Sequence, residues 1–334
     1  MAQARDSLRF DFRPPAGLRN AHIQSLLGGS PIRSGIIRRA ARRFVKGSTA
    51  RVLECRGARL LCHVNRPETS PRGTAVLLHG WEGSADSSYV LSVGRRLLAE
   101  GFTVARLNFR DHGGTHALNE GLFHSCRIGE VVDAVAVLER AEPSVPLHLV
   151  GFSLGGNFAL RVAARARAAA IHLAGVVAVC PVLSPVNTMR ALEEGLWVYR
   201  DYFLRRWRRS LLAKARAFPQ LYSFGDLRRF RTLTETTDFF VRRYTDFGTL
   251  DRYLGGYAIT GEALAELDVP SLLIATRDDP VIPVTDLDQL AVSPALRIAV
   301  LPHGGHCGLL RDYGLRSWLV GHIGSLLRAE PLRH

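Results

Sequence analysis

The sequence predicts an α/β fold, a mainly parallel sheet flanked by helices. Three observations predict it. Short apolar runs that read as buried strands alternate with longer runs of helical period, the pattern of βαβ units. One such strand, 147–152, leads directly into Gly151-Phe152-Ser153-Leu154-Gly155 and then into an alanine-rich helical stretch, 158–170. The alternation then breaks over residues 184–266, where strand signals are few and aromatics and arginines abound, before a strand resumes at 271–276. The chain of 334 residues therefore reads as one large domain with an insertion. Residues 1–50 form an extension packed on the core, 51–183 and 267–334 the core, and 184–266 a helical cap.

Taken in order, Phe10, Phe12, Pro14, Pro15 and Leu18 suit a segment pinned to a surface by aromatic contacts. Residues 38–43 are a basic cluster and read as a solvated face. The runs 51–55 and 58–64, separated by Arg56-Gly57, read as a β-hairpin. Residues 74–78 form a compact strand, followed at once by His79-Gly80-Trp81-Glu82-Gly83. Residues 87–100 have helical period and stop at Gly101. A strand at 103–108 precedes a polar, glycine- and histidine-rich loop, 111–124. A helix at 128–140 ends before Pro143. After the strand 147–152 and its helix, 173–180 is a strand closed by Pro181. Residues 297–301 are the last strand and 313–328 the closing helix.

Composition narrows the class. Apolar residues make up 47% and charged residues 22%, as in globular proteins. No run is long enough to span a membrane, since the longest, 168–183, is interrupted by His172 and Pro181. The first fifteen residues carry both signs of charge and no apolar core, so no secretory signal is expected. Five cysteines, odd in number and without C-x-x-C spacing, suit a reducing cytoplasm rather than a disulfide framework or a zinc site. The net charge of +14 comes almost wholly from arginine, since only Lys46 and Lys214 are lysines. The arginines are dispersed and form no recognised nucleic-acid module, so no nucleic-acid partner is expected.

The pentapeptide around Ser153 has the G-x-S-x-G form of a nucleophile elbow, a serine held on a sharp strand-to-helix turn. A serine hydroxyl needs a base to take its proton and a third group to orient that base. The order Ser, Asp, His is met along this chain. Arg277-Asp278-Asp279-Pro280-Val281-Ile282-Pro283 follows one strand, and Pro302-His303-Gly304-Gly305-His306 follows the last. All three sites thus lie beyond carboxyl ends of strands, where ligands bind in open α/β sheets. Asp279 is preferred over Asp278 because the D-P-x-x-P turn begins there. His306 is preferred over His303 because two glycines let the chain fold back over the site. An oxyanion needs preorganised N–H donors. The backbone of Leu154, after the serine, and of Trp81, in the H-G-W-E-G loop, are the candidates. Asp111, His112, His116 and His124 match no standard zinc spacing and read as a loop shaping the pocket.

These motifs resemble the α/β-hydrolase superfamily and, within it, the YheT-like branch of bacterial hydrolases and animal enzymes acting on phospholipids and other lipid esters. The resemblance rests on residues 12–24, on HGWEGS at 79–84, and on NFRDHGGTHALNEGLFHS at 108–125. It continues through GFSLGGN at 151–157, RDDPVIP at 277–283 and HGGH at 303–306. It implies Ser153 as nucleophile, Asp279 as its acidic partner and His306 as base. The animal members carry an N-terminal membrane anchor that is not read here, so their substrates are not carried over. Caps over this fold line the acyl pocket, and Trp197, Tyr199, Tyr202, Phe203, Trp207, Phe218, Tyr222 and Phe224 supply apolar surface for it. Interleaved with them are Arg200, Arg205, Arg206, Arg208, Arg209 and Arg216. They suit a solvated basic face or a lid resting on anionic membrane, a peripheral contact.

The expected activity is hydrolysis of carboxylic esters through an acyl-enzyme, with a small-molecule ester as substrate and without metal or organic cofactor. Acyl transfer or thioester hydrolysis on the same three residues is the alternative within enzymes. A lipid- or partner-binding module that kept the fold is the alternative outside them.

Overall fold

A computed structural model describes residues 10–328. The charged start of the chain, read above as lacking a secretory signal, falls largely outside these residues. Helices α1 (Ala21–Gly28), α2 (Pro31–Ala40) and α3 (Arg42–Lys46) precede the hairpin β1 (Thr49–Cys55) and β2 (Ala58–Asn65). Then come β3 (Thr74–Leu78), α4 (Ser88–Ala99), β4 (Thr103–Leu107), α5 (Ile128–Ala141), β5 (Leu147–Phe152), α6 (Leu154–Ala163) and β6 (Leu173–Val179). Four helices separate β6 from the next strand: α7 (Pro185–Glu194), α8 (Trp197–Ala217), α9 (Leu233–Tyr244) and α10 (Leu250–Gly255). The chain closes with β7 (Ser271–Thr276), β8 (Leu296–Leu301) and α11 (Trp318–Arg328).

The eight strands form one sheet in the order β1-β2-β4-β3-β5-β6-β7-β8. Both pairings of β2 are antiparallel, and every pairing from β4 through to β8 is parallel. Parallel strands must be covered on both faces. Here β3, β4 and β5 are buried at every position. One face packs on α5 and α6; the other packs on α4, α11 and the segment before β1. Phe12, 2% exposed, lies on this second face with its ring 5.8 Å from that of Trp318, and Phe10 sits 5.3 Å from the same ring. A separate apolar cluster, including Trp207, Phe240, Val241 and Tyr253, lies among the helices between β6 and β7.

Three sequence expectations need correction. The helix after Ser153 ends at Ala163, and residues 164–170 are turns in which Ala170 takes a φ of 53°. After Ala163 the hydrogen bonds tighten by one residue, Arg165 to Val162 and Ala166 to Ala163, which ends the α-helical ladder. The closing helix begins at Trp318, not at 313, because a turn at residues 312–316 and a bridge between Leu310 and Ser317 occupy the chain first. The described part of residues 1–50 also contains three α-helices to which the sequence reading assigns no element. Their signals were present. Asn20 accepts the N–H groups of His22 and Ile23, and Ser30 caps α2, which begins with a proline.

Among the described residues no helix is long and apolar enough to cross a membrane. The longest, α8, instead places a lysine in the interior. The ammonium of Lys214, 1% exposed, meets Asp111 at 2.8 Å and donates to the carbonyls of His116, Asn119 and Gly121 at 3.3, 2.5 and 3.0 Å. Asp111 also accepts the N–H of Phe123 at 2.8 Å. One side chain thus folds the 111–123 loop and fastens it to α8. Replacing Lys214 with Met leaves Asp111 buried without its cation. Breaking such a pair costs about 3–5 kcal/mol, so thermal or urea unfolding of Lys214→Met should show a loss of that size.

Candidate active site

The site is set by how closely two backbones approach. At Ser153 the chain leaves β5 and enters α6 with φ 52° and ψ −119°, a strained conformation for a residue with a side chain. A Cβ on Gly151 would lie 2.2 Å from the carbonyl oxygen of Gly155. One on Gly155 would lie 2.2 Å from that of Leu78. Neither position has room for any other residue. A Cβ on Gly80 would lie 3.3 Å from the Ser153 Cβ, so the 79–83 loop runs close against the serine.

The sheet then delivers the partners to the same edge. Phe152 pairs with Val179, Val179 with Ile274, and Thr276 with Leu301, so the loops after β5, β7 and β8 emerge side by side. His306 Nε2 lies 3.0 Å from Ser153 Oγ. His306 Nδ1 lies 2.9 and 3.1 Å from the two Asp279 oxygens. Asp279 also accepts the N–H groups of Val281 and Ile282 at 2.8 and 3.0 Å, which hold its carboxylate toward the ring. With Nδ1–H donating to the carboxylate, Nε2 is left to accept the serine O–H. Burial pushes the His306 imidazolium down, but the Asp279 charge, Cys307 and the Asp279 hydrogen bond outweigh it and raise the pKa to about 9. Asp278 faces elsewhere. It accepts the N–H of Gly305 at 2.9 Å and lies 3.8 Å from His303, bracing the loop that carries His306.

Leu154 is the first residue of α6, so its N–H has no acceptor within the helix. Among the described residues the N–H of Trp81 also has no hydrogen-bond acceptor. Both residues line the cavity that reaches Ser153. The Trp81 ring is half-buried and stacks on Phe203 of α8 at 5.1 Å. His79 holds this loop, donating to the Gly80 carbonyl at 2.8 Å and accepting the Phe109 N–H at 3.2 Å. His112 accepts the N–H of Glu82 at 3.2 Å, and His116 meets Ser210 of α8 at 2.9 Å. These loop histidines therefore tie the 108–125 segment to its neighbours.

The cavity over Ser153 measures 90 Å³ and is lined mainly by apolar side chains. They come from the 79–83 and 123–125 loops, from the start of α6, and from α7, α8, α9 and α10. Of the eight aromatics expected to supply apolar surface for it, only Phe203 and Trp207 line it. Trp197 and Tyr202 point outward, 61% and 47% exposed. Tyr222 and Phe224 stack on each other and on Tyr244. Met189, Leu233, Phe240 and Tyr253 line it instead, from helices whose facing no sequence pattern specifies, with Tyr257 from the turn after α10.

The sequence reading also missed what α1 does. Ser25 accepts the backbone N–H of His306 at 2.8 Å and donates to Ala21 at 2.7 Å. Gln24, fully buried, bonds both the N–H and the carbonyl of Leu310 and the carbonyl of Leu18. A Cβ on Gly305 or Gly308 would lie 2.3 Å from the Ala21 or 2.5 Å from the Gln24 carbonyl oxygen. His22 meets Tyr199 of α8 at 3.0 Å. The resemblance covers Ala21, His22 and Gln24 without a role for them and stops short of Ser25.

The alpha/beta hydrolase fold family matches residues 75–313. Over 329 residues the chain is 25% identical to the provisionally named esterase YheT of Escherichia coli strain K12, covering 94% of this chain and 92% of that protein. It is 22% identical to the human phospholipase ABHD3 over 73% of this chain and 60% of that one. Among solved structures it resembles the esterase Pf2001 of Pyrococcus furiosus, with a TM-score of 0.57 at 16% identity over 86% of this chain and 94% of that one. Removing the Ser25 hydroxyl should lower kcat about tenfold, the effect of ~1.4 kcal/mol on the barrier, with KM unchanged and Ser25→Thr restoring the rate; steady-state kinetics checks this. By the family match and the sheet order, the chain belongs to the alpha/beta hydrolase fold family.

Proposed function

We propose that the chain is a serine hydrolase of carboxylic esters acting through an acyl-enzyme. The observation that carries this reading is the continuous contact from Asp279 through His306 to Ser153, set on a strained elbow that opens into an apolar cavity. Ser153 Oγ attacks the ester carbonyl as His306 Nε2 takes its proton. The N–H groups of Trp81 and Leu154 hold the oxyanion. His306 then passes the proton to the leaving alcohol, and water activated by the same ring releases the acid. Asp279 keeps the ring oriented and stabilises the imidazolium. The names of the relatives, an esterase and a phospholipase among them, support the same class.

The helices of residues 184–266 act as a cap. They supply the larger part of the cavity lining and so select the acyl group. A space of 90 Å³ lined by apolar side chains favours short acyl chains. Hydrolysis of p-nitrophenyl butyrate should therefore exceed that of the palmitate ester. Ser153→Ala should lose turnover by on the order of 10⁴-fold or more while remaining folded. Near-wild-type turnover in that variant would overturn the assignment.

His306 must be neutral to act as base, and its pKa is raised to about 9. The rate thus increases with pH as the imidazolium loses its proton. The acidic limb of kcat/KM should lie above the ordinary histidine value of about 6.5. In Asp279→Asn that limb should move to lower pH while kcat falls by on the order of 10⁴. A limb unmoved by that substitution would contradict the assignment of His306 and Asp279.

A second reading concerns the outer surface of the cap. Leu196, Trp197 and Tyr202 are exposed and lie beside Arg200 and Arg205, an apolar patch with cationic neighbours. This suits peripheral contact with an anionic bilayer. Sedimentation with phosphatidylserine vesicles that is lost in Trp197→Ser would support it; equal sedimentation of both proteins would not.

A further inference from the structure

Two thiols that the proposed chemistry does not use converge beside His306. Cys180 follows β6 directly, and Cys307 follows His306, each with a left-handed backbone, φ 43° and 56°. Both are free thiols, Cys180 buried and Cys307 half-buried. The Cys307 sulfur lies 3.7 Å from the carbonyl oxygen of Val179, the same carbonyl that accepts the Ser153 N–H at 2.9 Å. The Cys180 sulfur lies 4.0 Å from the carbonyl oxygen of Gly305. The two sulfurs and a ring nitrogen of His306 all lie within 4.8 Å of one another.

We propose that Cys180, Cys307 and His306 form an inhibitory site for a thiophilic divalent cation, with zinc as the ion this donor set selects. Two thiolates and an imidazole suit zinc and exclude magnesium and calcium, which take oxygen ligands. Zinc bonds of about 2.3 Å to sulfur and 2.0 Å to nitrogen place tetrahedral ligand atoms roughly 3.3–3.8 Å apart. Binding requires the three atoms to close from their present spread to that spacing. Binding converts both thiols to thiolates and releases their two protons to solvent. The ion takes an imidazole nitrogen that otherwise pairs with Ser153 or with Asp279, so the proton relay is broken. The rate effect rests on the reading of His306 as base; the binding does not. The 111–124 loop offers no thiolate and so does not compete for such an ion.

The test uses the full chain, reduced and freed of metal. Bound zinc is measured by equilibrium dialysis, cobalt by its thiolate-to-metal charge-transfer absorption, and hydrolysis of p-nitrophenyl butyrate alongside. The expected result is one ion per chain, a cobalt–thiolate band, and at least a tenfold loss of rate that EDTA reverses. Cys180→Ala should keep the basal rate, and Cys180→Ala and Cys307→Ala should each lose both the band and the inhibition. Cys307, being half-buried, supplies a variant that folds if Cys180→Ala does not. Absence of the band, binding unchanged in the cysteine variants, or binding with no loss of rate would each overturn the proposal. So would inhibition that appears only with hydrogen peroxide and is reversed by dithiothreitol but not by EDTA, which would mark a disulfide. If the protein hydrolyses no ester, cysteine-dependent binding keeps the metal site and the failure falls on the esterase reading.

Discussion

Everything at the candidate site depends on one steric constraint, the close approach of residues 151–155 to the carboxyl end of β3. A side chain at Gly151 or Gly155 would collide with backbone oxygen at 2.2 Å. That approach forces Ser153 into its left-handed turn and lifts its hydroxyl clear of the sheet. It also sets the 79–83 loop beside the serine, so that Trp81 and Leu154 line the same cavity. Nothing in this arrangement is adjustable by side-chain rotation. The strain of the turn is offset by the burial around it, since every residue of β5 and α6 is buried.

The remaining parts are held by ties between distant segments. The loop carrying His306 is braced from three sides: Thr276 bonds the Gly305 carbonyl, Asp278 the Gly305 N–H, and Ser25 the His306 N–H. The 108–125 loop is braced from the other side by Lys214 and by the Arg110–Glu130 pair. Helix α8 meets both ends of the site, through Tyr199 to His22 and through Arg206 to the Glu82 carbonyl. A change in the position of α8 therefore acts on α1, which braces the His306 loop, and on the 79–83 loop together. In this way the helices between β6 and β7 are coupled to the chemistry without supplying a group to it.

The sheet was legible because parallel strands buried on both faces leave uninterrupted apolar runs; β3, β5 and β7 lie where those runs lie. Ser153, Asp279 and His306 were legible because the turns that carry them need glycine and proline at fixed offsets. The caps of the helices of residues 21–40 stand in the sequence, but what α1 packs on, Gly305 and Gly308 nearly 300 residues away, does not. The cavity lining was not legible either. In an arginine-rich helix that mixes aromatics on several faces, the composition says which residues are large, and only the packing of α7 to α10 says which turn inward. Lys214 shows the limit most clearly. Its sequence setting, among alanines and arginines, reads as surface, yet four oxygens enclose it.

The measurement that bears most directly on the central claim is to map the covalent adduct of a fluorophosphonate probe by peptide mass spectrometry, in wild type and in His306→Ala. The account predicts a single adduct, on Ser153, whose rate of formation collapses when His306 is removed. An adduct on another residue, or equal labelling of Ser153 without His306, would contradict it.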